Sequence, residues 1–437
     1  MSISVKKITF IGGGSAYIPL IVDEIVKSNS FSELCEILFI APTNEKMNII
    51  SGFCLQLFCS AGKNINIVKK NKVDKEIADS DVIISIYRSG GLKYRHLDET
   101  DGLDFDILGQ ESQGFGGFSS ALRNIAVLKE IAPVIKKYAP NALYINITNP
   151  SGILTAAARK LGINSIGICD VPFAMRLKLA KYFEVNSEDV SFKYIGLNHL
   201  GWLTEIRVKD EFVLEKLLNS ADVEGFMNMV KQSNIPSVRI NLEFFKALNA
   251  IPSSYLFYYY NTREIIEEIK RNKLSRAQKV DKDNRRLYLK YKESSLKEWP
   301  NFFQNERGAY LLGKTVVSFL TDYACDVECT REHVICIPND GTLSFLEDDK
   351  IIETQVSVKN GIIKPLCRNL NVNGHIKSLM MAVSEYERMT AYTGIFGDKK
   401  MAFEALASHP LIPTVDVASK LLNKIISRDG EYITQFK

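Results

Sequence analysis

At 437 residues the chain is longer than one ordinary hydrophobic core accommodates, so two domains, or one large domain with insertions, are expected. Hydrophobic residues make up 46% and charged residues 24%, the balance of an ordinary folded protein, which excludes extensive disorder. The net charge of +4 is modest and no aromatic-basic recognition pattern accompanies it, so nothing points to nucleic acid.

The apolar run after Lys6-Lys7 imitates a secretory leader, but Gly12-Gly13-Gly14, Pro19 and Asp23-Glu24 interrupt it. No other run reaches membrane-spanning length without charges or turn residues, and the eight cysteines contain no CxxC pair. Free thiols in a reducing compartment, hence a cytoplasmic protein with no membrane partner, are the expectation.

Val5 to Ile11 is a β-type run ending in Gly12-Gly13-Gly14-Ser15, and Tyr17 to Val26 follows with helical spacing of apolar residues. Strand, glycine turn and helix make the geometry that sets backbone N–H groups and a positive helix end against a pyrophosphate. Gly12 and Gly14 match the first two glycines of a G-x-G-x-x-G turn, whereas Tyr17 stands in place of the third; a plain strand-helix turn is the alternative. The next strand, Glu36 to Ile40, ends at Ala41-Pro42, where a ribose-binding Asp or Glu is usual. Glu45 is a candidate substitute, although a helix-surface position is its ordinary role.

Helix and strand patterns then alternate through Glu45 to Cys59, Asp81 to Ile86, Ser120 to Tyr138 and Leu143 to Ile147, which predicts a parallel, doubly wound sheet. Two segments between them read as loops rich in glycine and polar groups: Arg88-Ser89-Gly90-Gly91, with Arg95 just beyond, and Gly109 to Gly117. Glycines permit close backbone approach to a ligand and arginines suit a phosphate or carboxylate, though ordinary turn chemistry accounts for both loops equally well.

Three short β-rich runs then end in polar turns: Leu143 to Ile147 before Asn149-Pro150-Ser151-Gly152, Ser165 to Ile168 before Cys169-Asp170-Val171-Pro172, and Phe192 to Ile195 before Asn198-His199-Leu200-Gly201. Strand ends are where open α/β sheets bind ligands, and parallel strands could bring Cys169 and His199 together. A thiolate, an imidazole and substrate oxygens suit an open divalent site better than a closed structural zinc; a buried inert cysteine and a hydrogen-bonded histidine are the alternative.

Beyond Trp202 the pattern loosens. Helix-type segments at Leu242 to Leu248, Ile265 to Arg271, Tyr310 to Tyr323, His375 to Tyr392, Lys399 to Ser408 and Thr414 to Ile426 enclose a β-rich stretch from Val334 to Val358, which predicts a mixed α+β second domain. Lys270 to Lys297 interleaves Lys and Arg with Asp and Glu and reads as a solvated helical face. Within Ile251 to Tyr260 the phenols stand out, and Tyr255 is a candidate base because a phenol's pKa falls beside a metal or cation; core packing is the plainer role. Arg307 sits at an expected helix start.

Together these stretches resemble glycoside hydrolase family 4, the NAD- and divalent-metal-dependent glycosidases, and look most like its 6-phospho-β-glucosidase branch. The resemblance runs through Ile11 to Ser15, Arg88 to Gly91, Gly109-Gln110-Glu111, Ile147 to Pro150, Cys169 to Pro172, Gly196 to His199, Ser254-Tyr255-Leu256, Arg307-Gly308-Ala309 and His409-Pro410-Leu411. It implies a Rossmann-like NAD-binding domain over residues 1–200 and an α+β substrate-binding and oligomerisation domain over 201–437. Cys169 and His199 would bind Mn²⁺ or a similar ion, Tyr255 would be the base and Asp170 a further catalytic group. Gly12, Gly13, Gly14, Ser15 and Arg88 would contact NAD; Asn149, Glu111 and Asn198 would contact the sugar, and Arg95 and Arg307 its 6-phosphate. Val171-Pro172 and Tyr255-Leu256 favour the β branch, while Asp170 is the residue usual in the α branch.

The implied reaction takes hydride from carbon 3 of the sugar onto NAD⁺, removes the carbon 2 proton through Tyr255 as the aglycone leaves carbon 1, adds water and returns the hydride. The implied substrate is a phosphorylated disaccharide such as cellobiose 6-phosphate, or an aryl glucoside 6-phosphate, handled by a homodimer or homotetramer. A net dehydrogenase of a hydroxy acid or sugar phosphate, and a non-catalytic sugar-phosphate sensor, are the competing readings.

Overall fold

The computed structural model describes residues 4–231, 235–236, 238–293, 311–326, 331–368, 370 and 372–436. Its first half alternates as the sequence predicts: β1 (Lys7–Ile11), α1 (Ile18–Lys27), β2 (Glu36–Ile40), α2 (Asn44–Ser60), β3 (Asn66–Lys70), β4 (Val82–Ser85), α3 (Gly91–Thr100), α4 (Gly114–Tyr138), β5 (Leu143–Asn146), α5 (Ser151–Lys160), β6 (Ser165–Ile168) and α6 (Val171–Tyr182). These six strands lie parallel in the order β3-β2-β1-β4-β5-β6, the doubly wound arrangement of dinucleotide-binding domains.

The near-continuous apolar runs of these strands follow from burial on both faces. Ile8, Phe10, Ile37, Phe39, Val82 and Ile84 point into one core with α1, α2 and the helices Arg276–Glu293 and Leu312–Ala324. Their neighbours Ile11, Leu38, Ile40 and Ile83 point into the other, with α4, α5, α6 and the three C-terminal helices Gly374–Phe396, Lys399–Ser408 and Val415–Asp429. A one-residue slip would exchange the two sets, so register is strongly fixed.

The second half adds β7 (Val190–Leu197), β8 (Leu200–Val208), β9 (Glu211–Phe212), β10 (Ile251–Pro252), β11 (His333–Pro338), β12 (Ile351–Lys359) and β13 (Ile362–Pro365). They extend the same sheet instead of forming a separate one: β11 pairs antiparallel with β6, then come β12, β7, β8 and β10. The residue 200 boundary thus falls beside the tight β7–β8 hairpin. The expectation that a parallel strand carries His199 is corrected here, because β7 reaches the sheet only by antiparallel pairing with β12.

Two further expectations change. Gly109 to Gly117 is not loop throughout, since Gly114 to Gly117 already form the first turn of α4. The polar helix Arg276–Glu293 is not merely a solvated face: Leu287 and Tyr291 are fully buried, and the Tyr288 and Tyr291 hydroxyls donate to the carbonyls of Gly14 (2.6 Å) and Ala16 (2.9 Å). Among the described residues no helix is long and apolar enough to cross a membrane.

A buried ion network ties the C-terminal helix to α3 and α4. Arg123 on α4 meets Asp98 of α3 and Asp429, each at 2.5 Å, and all three side chains are at most 1% exposed. Arg428 closes the network through Asp98 and Asp101, both at 2.8 Å. Removing one partner of such a cluster strands the others without compensation. Arg123→Met is expected to lower unfolding free energy by about 3–5 kcal/mol, read as a falling urea midpoint; an unchanged midpoint would contradict a stabilising role for the network.

Candidate active site

The glycine turn after β1 is set by contact with its neighbours. Gly12 has a φ of +100°, and a Cβ there would lie 2.5 Å from the Ile86 carbonyl oxygen, so only glycine fits. The amides of Gly12 and Gly13 donate to the Ile40 carbonyl at 2.9 and 2.8 Å, bracing the turn on β2, and the Ser15 amide donates to Gly12. Among the described residues the Gly14 amide, just before α1, meets no protein acceptor.

The loop after β4 carries Arg88, and Arg95 follows on α3. Arg88 pairs with Glu111, which also takes Arg95 at 3.1 Å, while Arg95 holds Glu99 at 2.7 Å. Three of the predicted site residues therefore form one ion cluster, buried at Arg95 and half-buried at Arg88. Burial alone would raise the Glu111 carboxyl, but Arg88 and Arg95 hold it down to about 2. Asn149 lies beside this cluster's loop: the Asn124 side chain donates to the Asn149 carbonyl at 3.1 Å and accepts from the Ser89 amide at 2.9 Å. Arg307 lies outside the described residues.

Cys169 and His199 do meet, although two strands separate β6 from β7. Gly167, Cys336, Glu353 and Gly196 form one cross-strand row through β6, β11, β12 and β7. The hairpin turn beyond Gly196 brings His199 Nε2 to 3.6 Å from Cys169 Sγ. His199 has a φ of +63°, a left-handed conformation uncommon outside glycine, so packing must hold it there. Pairing of β10 with β8, continued by the Ser253 amide donating to Gly201 at 2.7 Å, delivers the third group. The Tyr255 ring lies flat on the His199 ring, with centroids 3.8 Å apart and planes 2° apart.

A divalent ion fits this pair. Ligand distances of about 2.3 Å for sulfur and about 2.1 Å for nitrogen at a tetrahedral angle put the two donors about 3.6 Å apart. Among the described residues no third His, Cys, Asp or Glu completes a ligand set, so further ligands would come from a bound molecule or water.

Comparison with known proteins decides the family. Residues 7–185 match the model of family 4 glycosyl hydrolases, and residues 194–412 match the model of the family 4 C-terminal domain. This chain belongs to glycosyl hydrolase family 4. It is 31% identical to the 6-phospho-beta-glucosidase of Thermotoga maritima, across 98% of this chain and 99% of that protein. A probable 6-phospho-beta-glucosidase of Bacillus subtilis is 29% identical, with 98% of each covered. The Thermotoga maritima enzyme solved with manganese, NAD⁺ and glucose-6-phosphate superposes with a TM-score of 0.86 at 30% identity, covering 98% of this chain and 99% of that one.

Within this family 4 chain, hydrogen bonds fix the state of the imidazole. The Ser112 hydroxyl donates to Gln110 Oε1 at 2.8 Å, so its oxygen accepts from His199 Nδ1–H at 2.6 Å. Nε2 is then the unprotonated nitrogen facing Cys169, the tautomer a metal needs. Burial pushes the His199 pKa down to about 4, which keeps the ring neutral near pH 7. The Cys169 thiol is driven well above its ordinary range by burial, with Glu353 and Asp170 adding negative charge. A bound cation is what would favour its thiolate.

Asn198, expected as a substrate contact, donates to Glu353 Oε1 at 2.9 Å, and the Tyr194 hydroxyl donates to Glu353 Oε2 at 2.7 Å. Glu353 is 1% exposed, and burial raises its carboxyl to about 7 despite these donors. Asp170, at the start of α6, is raised to about 6 by burial. Sequence reasoning missed both Ser112 and Glu353. Ser112 lay inside a segment already singled out; Glu353-Thr354-Gln355, three polar residues inside an apolar strand pattern, was the only trace of the other. Ser112→Ala is expected to weaken Mn²⁺ binding by about 10–100-fold in isothermal titration calorimetry, since it frees the ring that the hydroxyl orients. Unchanged affinity would show that Ser112 does not set the tautomer.

Proposed function

We propose that this chain hydrolyses 6-phosphorylated β-glucosides, such as cellobiose 6-phosphate, through reversible oxidation of the sugar at carbon 3. The observation that carries this reading is the convergence of Cys169, His199 and Tyr255, the thiol 3.6 Å from the imidazole and the phenol stacked on it at 3.8 Å. The full-length likeness to 6-phospho-beta-glucosidases supports the substrate class and the β-anomer.

In this reading residues 1–200 hold the dinucleotide, with Gly12 to Ser15 and Arg88 along it, and residues 201–437 complete the sugar site and the surface of a homodimer or homotetramer. Cys169 Sγ and His199 Nε2 would hold Mn²⁺. When bound, NAD⁺ supplies a hydride acceptor for carbon 3 and the ion a Lewis acid for the neighbouring oxygens. Tyr255 removes the carbon 2 proton, which the adjacent ketone acidifies, and the aglycone departs from carbon 1. Its ring lies flat on the His199 ring, and an ion held by that imidazole would lower the phenol's pKa. Asn149 contacts the sugar, Asp170 manages a proton beside Cys169, and Arg95 with Arg307 receives the 6-phosphate. Glu111 and Asn198 contact the substrate, Glu111 also holding Arg88 and Arg95 in one orientation and Asn198 steadying the turn that carries His199. The seven described cysteines are all free, which supports a cytoplasmic setting.

Release of p-nitrophenol from p-nitrophenyl β-D-glucoside 6-phosphate is expected only with NAD⁺ and Mn²⁺ both present, and without net NADH. Stoichiometric NADH would instead indicate a dehydrogenase. Tyr255→Phe is expected to lower kcat by about 10²–10⁴-fold while NAD⁺ and Mn²⁺ binding persist; undiminished turnover would remove Tyr255 from the chemistry. Asp170 gives the α-anomer a specific claim, and turnover of the α-linked 6-phosphate in place of the β-linked one would reverse the anomer assignment.

A further inference from the structure

The end of β2 carries no carboxylate. Ala41 occupies the position at which an acid ordinarily accepts from the adenosine ribose 2′-hydroxyl and repels a 2′-phosphate, and Pro42-Thr43-Asn44-Glu45-Lys46 leads into α2. Glu45, the one acid in this segment, is exposed on the first turn of α2. The segment is nonetheless rigidly attached to the glycine turn. Gly12 and Gly13 bond to the Ile40 carbonyl, and the Asn71 side chain donates to both the Ala41 carbonyl (3.1 Å) and Asn44 Oδ1 (2.7 Å).

Lys46 is the cation of this junction. A Cβ on Gly14 would lie 3.1 Å from the Lys46 Cβ, so the lysine stem runs directly against the turn. Its Nζ stands 5.5 Å from the centroid of Tyr288, whose hydroxyl donates to the Gly14 carbonyl at 2.6 Å. An aromatic face anchored on the glycine turn thus holds the ammonium beside it. Among the described residues no carboxylate pairs with Lys46. In a dinucleotide-binding domain, the space between the glycine turn and the end of β2 receives the adenosine ribose. The selecting acid is missing there, and in its neighbourhood stands a cation with no carboxylate partner among the described residues.

We propose that this chain binds the 2′-phosphorylated dinucleotide NADP⁺ at least as tightly as NAD⁺, with Lys46 as the counter-charge to the 2′-phosphate. This rests on the reading that the glycine turn holds a nicotinamide dinucleotide. Lys46 acts on the 2′-phosphate alone and takes no part in the chemistry at the sugar.

Calorimetric titration of the full chain with NAD⁺ and with NADP⁺, in the presence of Mn²⁺, tests the assignment without any turnover. The expected wild-type Kd for NADP⁺ is no higher than that for NAD⁺. Lys46→Ala is expected to raise the NADP⁺ Kd roughly tenfold more than the NAD⁺ Kd, the scale of one charge-assisted contact. Ala41→Asp is expected to swing the preference toward NAD⁺ by restoring the acid. A wild-type Kd for NADP⁺ above that for NAD⁺ overturns the proposal and leaves the hydrolase reading standing. Equal weakening of both ligands by Lys46→Ala overturns the role of the lysine, and binding of neither dinucleotide sinks this proposal together with the reading beneath it.

Discussion

A neutral imidazole held in one tautomer, at a strained turn, against a half-buried thiol is the constraint around which this protein is arranged. His199 faces Cys169 with its backbone in the left-handed region at the tip of the β7–β8 hairpin. Such a conformation costs of order 1–3 kcal/mol and persists where the surroundings over-determine it. Here they do so from three sides: Ser112 on Nδ1, the Tyr255 ring stacked on the imidazole plane, and Asn198 anchored on Glu353. The continuous sheet is what makes these three contacts possible, because β11 and β12 bridge the parallel half to the hairpin.

The electrostatics of the site follow from that enclosure. Around Cys169, burial disfavours every charged form: the thiol and the Asp170 and Glu353 carboxyls are pushed up, and the imidazole is pushed down. A pocket of suppressed charges next to a soft sulfur and an unprotonated nitrogen is one that a divalent cation can complete. The Arg88, Arg95 and Glu111 cluster behaves in the opposite way, staying ionised because its charges pair with each other. Arginines already partnered by carboxylates keep a fixed orientation, which suits groups that must meet a phosphate without reorganising.

Much of the fold was legible from residue periodicity. The parallel strands announced themselves as short apolar runs between helical patterns, and β2, β6 and the helix Leu242–Leu248 begin and end where the pattern does. The antiparallel half was less readable, since nothing in Val334 to Val358 says that these strands insert between β6 and β7; pairing partners distant in sequence leave no local mark. Cys169, His199 and Tyr255 were singled out because their residue types carry chemistry, and the structure brings the three together. Ser112 and Glu353 were not, because a serine and a lone strand carboxylate take their meaning from what they touch. The helix Arg276–Glu293 misled for a related reason: its charged composition hid two tyrosines whose rings pack inward and whose hydroxyls seat the glycine turn.

The central claim is that the carbon 2 proton of the sugar is removed during glycoside cleavage. Running the reaction in deuterium oxide and weighing the glucose 6-phosphate released, with fragmentation to locate the label, tests it directly. The account predicts one non-exchangeable deuterium at carbon 2, because the proton removed there is replaced from solvent when water adds. Product that keeps its original hydrogen at carbon 2 would contradict it and point instead to direct displacement at carbon 1.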